Sequence, residues 1–153
     1  MVVIDTDVLL LAFAFHRDER QAANTAFLDR VTSYEPATTI FNVMELLGQL
    51  SFNLSSERLA EWRSWLVEAF RLDILQPSSE RHKDPTEFMR VLVFERPFAK
   101  MQAHGMAFMD ALVLDLAERT PNVDYFVTWN ARHFKGKSTL KVLTPAEFLA
   151  QPE

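Results

Sequence analysis

Short runs of consecutive aliphatic and β-branched residues punctuate the chain at 2–4, 37–39, 74–75, 125–128 and 140–143. Between them lie longer stretches whose apolar residues recur at helical spacing, so the pattern predicts strands alternating with helices. After Arg20 the residues Ala23, Ala26, Phe27, Leu28 and Val31 fall along one side of a helix. A second helix spans 40–52 and ends in polar residues 53–56. Ser56 then reads as the N-cap of a helix carrying Leu59, Trp62, Leu66 and Phe70. Residues 87–119 hold one or two further helices, interrupted near Arg96-Pro97 and again near Gly105, and the proline-bounded polar stretch 76–85 (QPSSERHKDP) reads as a loop. Strands alternating with helices of this length predict an α/β doubly wound fold, a parallel sheet covered on both faces. Ligands of such sheets sit outside the carboxyl ends of the strands.

Composition narrows this picture. With 153 residues, 48% of them hydrophobic, the chain suits one domain spanning 1–153 with a core of its own. The absence of cysteine removes disulfides, thiolate zinc sites and cysteine nucleophiles, and is compatible with a reducing compartment. A formal charge of −5 argues against a protein that holds nucleic acid through a general positive field, while leaving room for a local basic rim. The first apolar run is broken by Asp5 and Asp7, no stretch reaches the length of a membrane span, and a cytoplasmic protein is expected.

The acids decide what the carboxyl edge is for. In VVIDTDVLL, Asp5 follows a strand and precedes a helix, so it is either a turn or N-cap residue, with Thr6 or Asp7 sharing that task, or the floor of a site. Glu45, in IFNVMELLGQL, borders the apolar stripe of Ile40, Val43, Met44, Leu47 and Leu50. Asp110, in MAFMDALVLDLAE, has Met106, Ala107, Val113, Leu114 and Ala117 as its helical neighbours. A carboxylate aimed into an apolar face needs an ionic partner, a proton or a metal. Asp115 falls with Glu118 and Arg119, where a solvated face explains it.

Asp5, Glu45 and Asp110 all map to the same sheet edge, where three carboxylates repel one another unless a cation is present. Oxygen ligands without cysteine or a closely spaced histidine pair select Mg²⁺ or Mn²⁺ over zinc. Such an ion is commonly completed by substrate phosphate, which suggests phosphodiester hydrolysis. Thr128 and Asn130 follow the fourth strand at that edge, either holding water or phosphate there or forming a turn that caps the next short helix. Arg132, His133, Lys135 and Lys137 add positive charge, as a solvated loop or an RNA-facing rim.

The succession VVIDTD, NVMEL, FMDALVLDLA and FVTWNARHF, closed by a strand and TPAEFL, resembles the PIN domain family and within it the VapC-type toxins of bacterial toxin–antitoxin pairs. The resemblance spans essentially the whole chain, although residues 53–104 match only in helical character. It implies a three-layer α/β/α sandwich around a parallel sheet of about five strands, and a metal-dependent ribonuclease. It also implies Asp5 and Asp110 as direct Mg²⁺ or Mn²⁺ ligands and Glu45 as a ligand through water or a residue orienting the nucleophile. Thr128 and Asn130 become the assisting residues, and Thr6 and Asp7 stand behind the metal ligands. A small antitoxin and a homodimer are implied as partners, for which Trp62, Trp65 and Phe70 offer a docking surface or, alternatively, core packing. Two departures stand out: Asp7 where many members carry Asn or Ser, and Asn130 where some carry a fourth Asp.

DTD is also similar to the DxD start of haloacid dehalogenase-type phosphatases, in which Asp7 would be a general acid. The chain lacks that family's later acidic pair, offering Thr128-Trp129-Asn130 instead. A non-catalytic scaffold of PIN-like fold is the third possibility.

Overall fold

A computed structural model describes residues 1–78 and 84–152. Among the described residues the strands are β1 (Val2–Ile4), β2 (Pro36–Thr39), β3 (Asp73–Leu75), β4 (Tyr125–Val127) and β5 (Lys141–Leu143), and the α-helices are α1 (Thr6–Ala14), α2 (Gln21–Val31), α3 (Ile40–Leu50), α4 (Ser56–Ala60), α5 (Pro85–Arg90), α6 (Arg96–His104), α7 (Phe108–Arg119) and α8 (Pro145–Leu149). All strand pairs are parallel, in the order β3-β2-β1-β4-β5. The doubly wound expectation is met with five strands.

β1 lies at the centre, and all three of its residues are at most 1% exposed. Alternation along the strands divides two cores. Val2, Ile4, Val127 and Leu143 join residues of α1, α2, α3 and α8 on one face, and Val3, Phe126 and Val142 join Val113, Leu114 and Ala117 of α7 on the other. Complete burial of Phe27, Phe126 and Phe134 contributes roughly 1.5–3 kcal/mol apiece. Trp62, Trp65 and Phe70 pack against the first core, and Phe13 meets Trp65 and Phe70 edge-on at centroid distances of 4.7 and 5.3 Å. Core packing is therefore what occupies these rings.

Two local expectations change. Ser55, not Ser56, caps α4, its hydroxyl accepting from the Arg58 N–H. The chain does not break at Arg96-Pro97, because a π-helical turn at Val91–Glu95 joins α5 to α6. The wider i→i+5 spacing gives the Pro97 ring room that a regular turn denies it. The interruption at Gly105 is present, with the glycine at φ 58° ending α6. The loop read at 76–85 lies partly outside the described residues. Among the described residues, no helix is long and apolar enough to cross a membrane.

The order of connection fixes where a site can form. Strands β1 to β3 build outward on one side of β1, and the chain then crosses to β4 on the other, so the direction of winding reverses between β1 and β4. The crevice above that reversal is bounded by the residues that follow β1 and β4, which are Asp5 and Thr128.

Candidate active site

Asp5 takes extended backbone angles (φ −79°, ψ 161°) and caps α1, its Oδ1 accepting from the Thr6 N–H at 2.8 Å. Its peptide N–H is held by the Val127 carbonyl at 3.0 Å, locking the end of β1 to β4. The N-cap and site readings of Asp5 are thus compatible, since capping engages one carboxylate oxygen.

Glu45 reaches the same place from α3. Thr39 caps that helix in a reciprocal box with Asn42, which fixes the phase at which Glu45 emerges in the second turn. The Thr6 hydroxyl donates to Glu45 Oε2 at 2.6 Å, and the Asn42 amide donates to Asp5 Oδ1 at 2.8 Å and to Thr6 Oγ1 at 3.0 Å. Asp5 and Glu45 are therefore linked through Thr6 and Asn42, which are both buried.

Asp110 stands in the first turn of α7, whose N-terminus has no side-chain cap and so favours negative charge. The carboxylate is half-buried, whereas its helical neighbours Val113, Leu114 and Ala117 are buried. Burial, then the nearby charge of Glu45, raises its pKa, with His133 and Lys137 drawing it back. Burial, then the charge of Asp7, pushes Asp5 up to about 8, and Glu45 adds to the rise. Glu45 thus makes itself felt at both aspartates. Among the described residues no lysine or arginine pairs with Asp5, Asp7, Glu45 or Asp110.

Asp7 faces the other way. Its Oδ2 accepts from the Thr128 hydroxyl and the Asn130 N–H, each at 3.0 Å, and its Oδ1 from the Trp129 N–H at 3.2 Å. Asp7 does not cap α1; it fastens that helix to the loop after β4. Its pKa is also raised, by burial above all, with these donors opposing the rise. Thr128 is fully buried and closes a turn by accepting from the Asn130 N–H at 3.0 Å. The Asn130 side chain is half-buried and does not cap the 3-10 turn Ala131–His133 that follows.

Arg132 and His133 are exposed on that turn, and Lys137 donates to the Gly105 carbonyl at 3.4 Å, beside the entry to α7. Lys135 is engaged elsewhere, in an ion pair with Glu147 at 2.6 Å. Asp115 differs from expectation: it is 5% exposed, under Arg119 at 3.0 Å and Arg96 at 4.0 Å. The cause is α6, which packs over the side of α7 that the sequence left to solvent, with Lys100 pairing to Glu118 at 2.6 Å.

Two buried polar residues escaped the sequence reading. Asn42 is one. Asn24 is the other, donating to the Val8 carbonyl at 3.0 Å and accepting from the Trp129 indole N–H at 2.8 Å. A signal existed for both: Asn24 shares a stripe with Phe27, Leu28 and Val31, and Thr39-x-x-Asn42 has the spacing of a capping box.

The donor set is all oxygen and mutually repulsive, which suits a hard divalent cation. Side-chain positions are looser than ligation requires, since among the described residues no three His, Asp or Glu side chains gather closely enough to hold an ion.

Solved structures share this architecture. A chain of VapBC2 from Rickettsia felis, in a crystal structure bound to a DNA fragment from their promoter, matches with a TM-score of 0.64 at 15% identity over 94% of this chain and 98% of its own. A chain of FitAcB from Neisseria gonorrhoeae matches at 0.62 and 16%, over 95% of this chain and 98% of its own. The chain has a PIN-like fold. A chain of FitAB bound to an IR36 DNA fragment agrees, at 0.61 and 16% identity, over 95% and 96%. No protein-family model and no curated protein matches the sequence. The PIN-like fold that the resemblance implied is thus borne out.

Proposed function

We propose that this PIN-like chain is an endoribonuclease dependent on Mg²⁺ or Mn²⁺, and the toxin of a toxin–antitoxin pair. One observation carries the reading: Asp5 and Glu45 are bound together through Thr6 above the reversal of the sheet, and Glu45 lies within electrostatic reach of Asp110, with no cationic side chain paired to any of the three among the described residues. Asp5 and Asp110 would hold the ion, and Glu45 would hold it through water or orient the water that attacks. A bound divalent cation supplies an acidified water and stabilises charge building on the phosphate. The protein's share is to aim Glu45 through the Thr6 hydroxyl and to keep the loop 128–130 in place through Asp7. His133 and Lys137 lie beside Asp110, and together with the exposed Arg132 they would meet the RNA backbone. The similarity to chains of VapBC2 and FitAB supports an antitoxin partner, and a homodimer in the cytoplasm completes the proposal.

The phosphatase alternative asks Asp7 to donate and accept a proton at a substrate. Its two oxygens already accept from three protein donors, which disfavours that role. The test is the melting temperature with and without Mg²⁺ or Mn²⁺. A metal-dependent rise that Asp110→Asn removes and Asp7→Asn retains supports the nuclease reading. A protein indifferent to both ions is a scaffold.

A further inference from the structure

Asn42 occupies a position that the proposed nuclease chemistry has not used. It is fully buried, and its side chain makes four hydrogen bonds. Its Oδ1 accepts from the Thr39 N–H at 3.3 Å and the Thr39 hydroxyl at 2.7 Å, while its two amide protons go to Asp5 Oδ1 at 2.8 Å and Thr6 Oγ1 at 3.0 Å. The orientation of the amide is determined by these partners. A reversed amide would set its carbonyl against a carboxylate and its NH₂ against a backbone N–H.

Each bond constrains the next. Asp5 Oδ1 already accepts from the Thr6 N–H, so the Asn42 proton fills the remaining position of that oxygen, and the Thr128 hydroxyl lies beside the same carboxylate. The Thr6 hydroxyl has one proton. Because Asn42 donates to its oxygen, that proton is directed to Glu45 Oε2, the shortest of these contacts at 2.6 Å. Asn42 belongs to the same helix as Glu45, and its cap with Thr39 sets the rotation of that helix.

We propose that Asn42 is the positioning residue of the acidic site, a single amide that selects which oxygens of Asp5 and Glu45 face an incoming cation and substrate. This rests on the nuclease reading above. Outer hydrogen-bond partners of carboxylate ligands typically change metal affinity by about 10–100-fold when removed. Asn42→Asp is the informative substitution, because it preserves size and the acceptor used by Thr39 while replacing the amide NH₂ with a second carboxyl oxygen. Thr39→Val is the control, since it removes the hydroxyl from the helix cap and from Asn42 Oδ1 while keeping the Thr39 N–H on that oxygen and both protons that Asn42 donates.

The experiment combines Mn²⁺ titration calorimetry on the folded proteins, well below their melting temperatures, with side-chain amide NMR of the metal-free wild type. Asn42→Asp should weaken Mn²⁺ binding by about tenfold or more and lower kcat on RNA with little change in KM. Thr39→Val should lower the melting temperature while keeping Mn²⁺ affinity within about threefold. Without metal, the Asn42 NH₂ signals should be slow to exchange and should shift in Asp5→Ala. If the wild type binds no Mn²⁺, the nuclease reading fails and takes the proposal with it. If the wild type binds Mn²⁺ and Asn42→Asp binds it equally well, or the Asn42 NH₂ signals ignore Asp5→Ala, the positioning role alone is overturned. Equal loss of Mn²⁺ affinity in Thr39→Val reduces Asn42 to a helix cap and overturns it as well.

Discussion

Removing the Asp7 carboxylate should loosen the junction between α1 and the loop after β4. Asp7→Ala strands the buried Thr128 hydroxyl and the Trp129 N–H and takes one of two acceptors from the Asn130 N–H, which keeps Thr128 Oγ1. Hydrogen bonds to a charged acceptor contribute roughly 1.5–3 kcal/mol each, so a simple sum over three is an upper bound. Three effects reduce it. Burial already disfavours the charged form of Asp7, its loss relieves repulsion on Asp5, and water can enter a half-buried site. A net cost of about 2–4 kcal/mol follows, or roughly 5–15 °C in melting temperature for a domain of this size. Asp7→Asn keeps one oxygen where Oδ2 accepts two of the donors, and sacrifices only the bond from Trp129. Its cost should stay below about 1.5 kcal/mol. The assay is thermal unfolding near neutral pH in chelator, so that metal does not enter the comparison. Equal melting temperatures for the Ala and Asn variants, or an Ala variant as stable as wild type, would refute the junction role.

Burial and neighbouring carboxylates raise Asp5 to about 8 from the ordinary 3.8, so between those values the folded protein binds more protons than the unfolded chain and metal-free stability falls as pH rises. Asp5→Asn removes that penalty, and its melting temperature relative to wild type in chelator should improve from about pH 5 to about pH 8; a pH-independent difference contradicts the shift. Asp115→Asn should cost about 1–2 kcal/mol in urea unfolding, because it weakens the pairs with Arg119 and Arg96, yet leave RNA cleavage unchanged. Arg132→Ala and Lys137→Ala should each raise KM for RNA and flatten its dependence on salt by about 0.7 in the log–log slope, while Lys135→Ala, whose ammonium is held by Glu147, should do neither.

Much of the fold was legible because it rests on local periodicity. The five apolar runs are the five strands, and the period-two division of Val2, Val3 and Ile4 between two cores follows from the pleat. Pro97 misled because a proline signals a break only where the upstream turn is regular, and the π turn before it is not. Asp115 misled for a different reason: a helical wheel describes one helix, and the face it assigned to solvent is covered by α6, a long-range contact. At the site, position was legible and partnership was not. Alternating strands and helices put Asp5, Glu45 and Asp110 on one edge, but which of two aspartates in DTD caps α1 depends on where β4 and its loop stand. In NVMEL nothing sets Asn42 apart, since an asparagine at a helix start has an ordinary explanation in capping. Only the distances to Asp5 and Thr6 reveal its second task.

The central claim is metal-dependent RNA hydrolysis by the acidic edge, and its most direct test is cleavage of a mixed cellular RNA pool by the purified protein. The reaction is run with Mg²⁺ or Mn²⁺, with chelator, and beside Asp110→Asn prepared identically, with the ends of the fragments mapped. Discrete cuts that require the metal and vanish in the variant are the predicted result. Cuts that persist in the variant or in chelator, or no cuts from a protein that also ignores both ions in melting, would contradict the account.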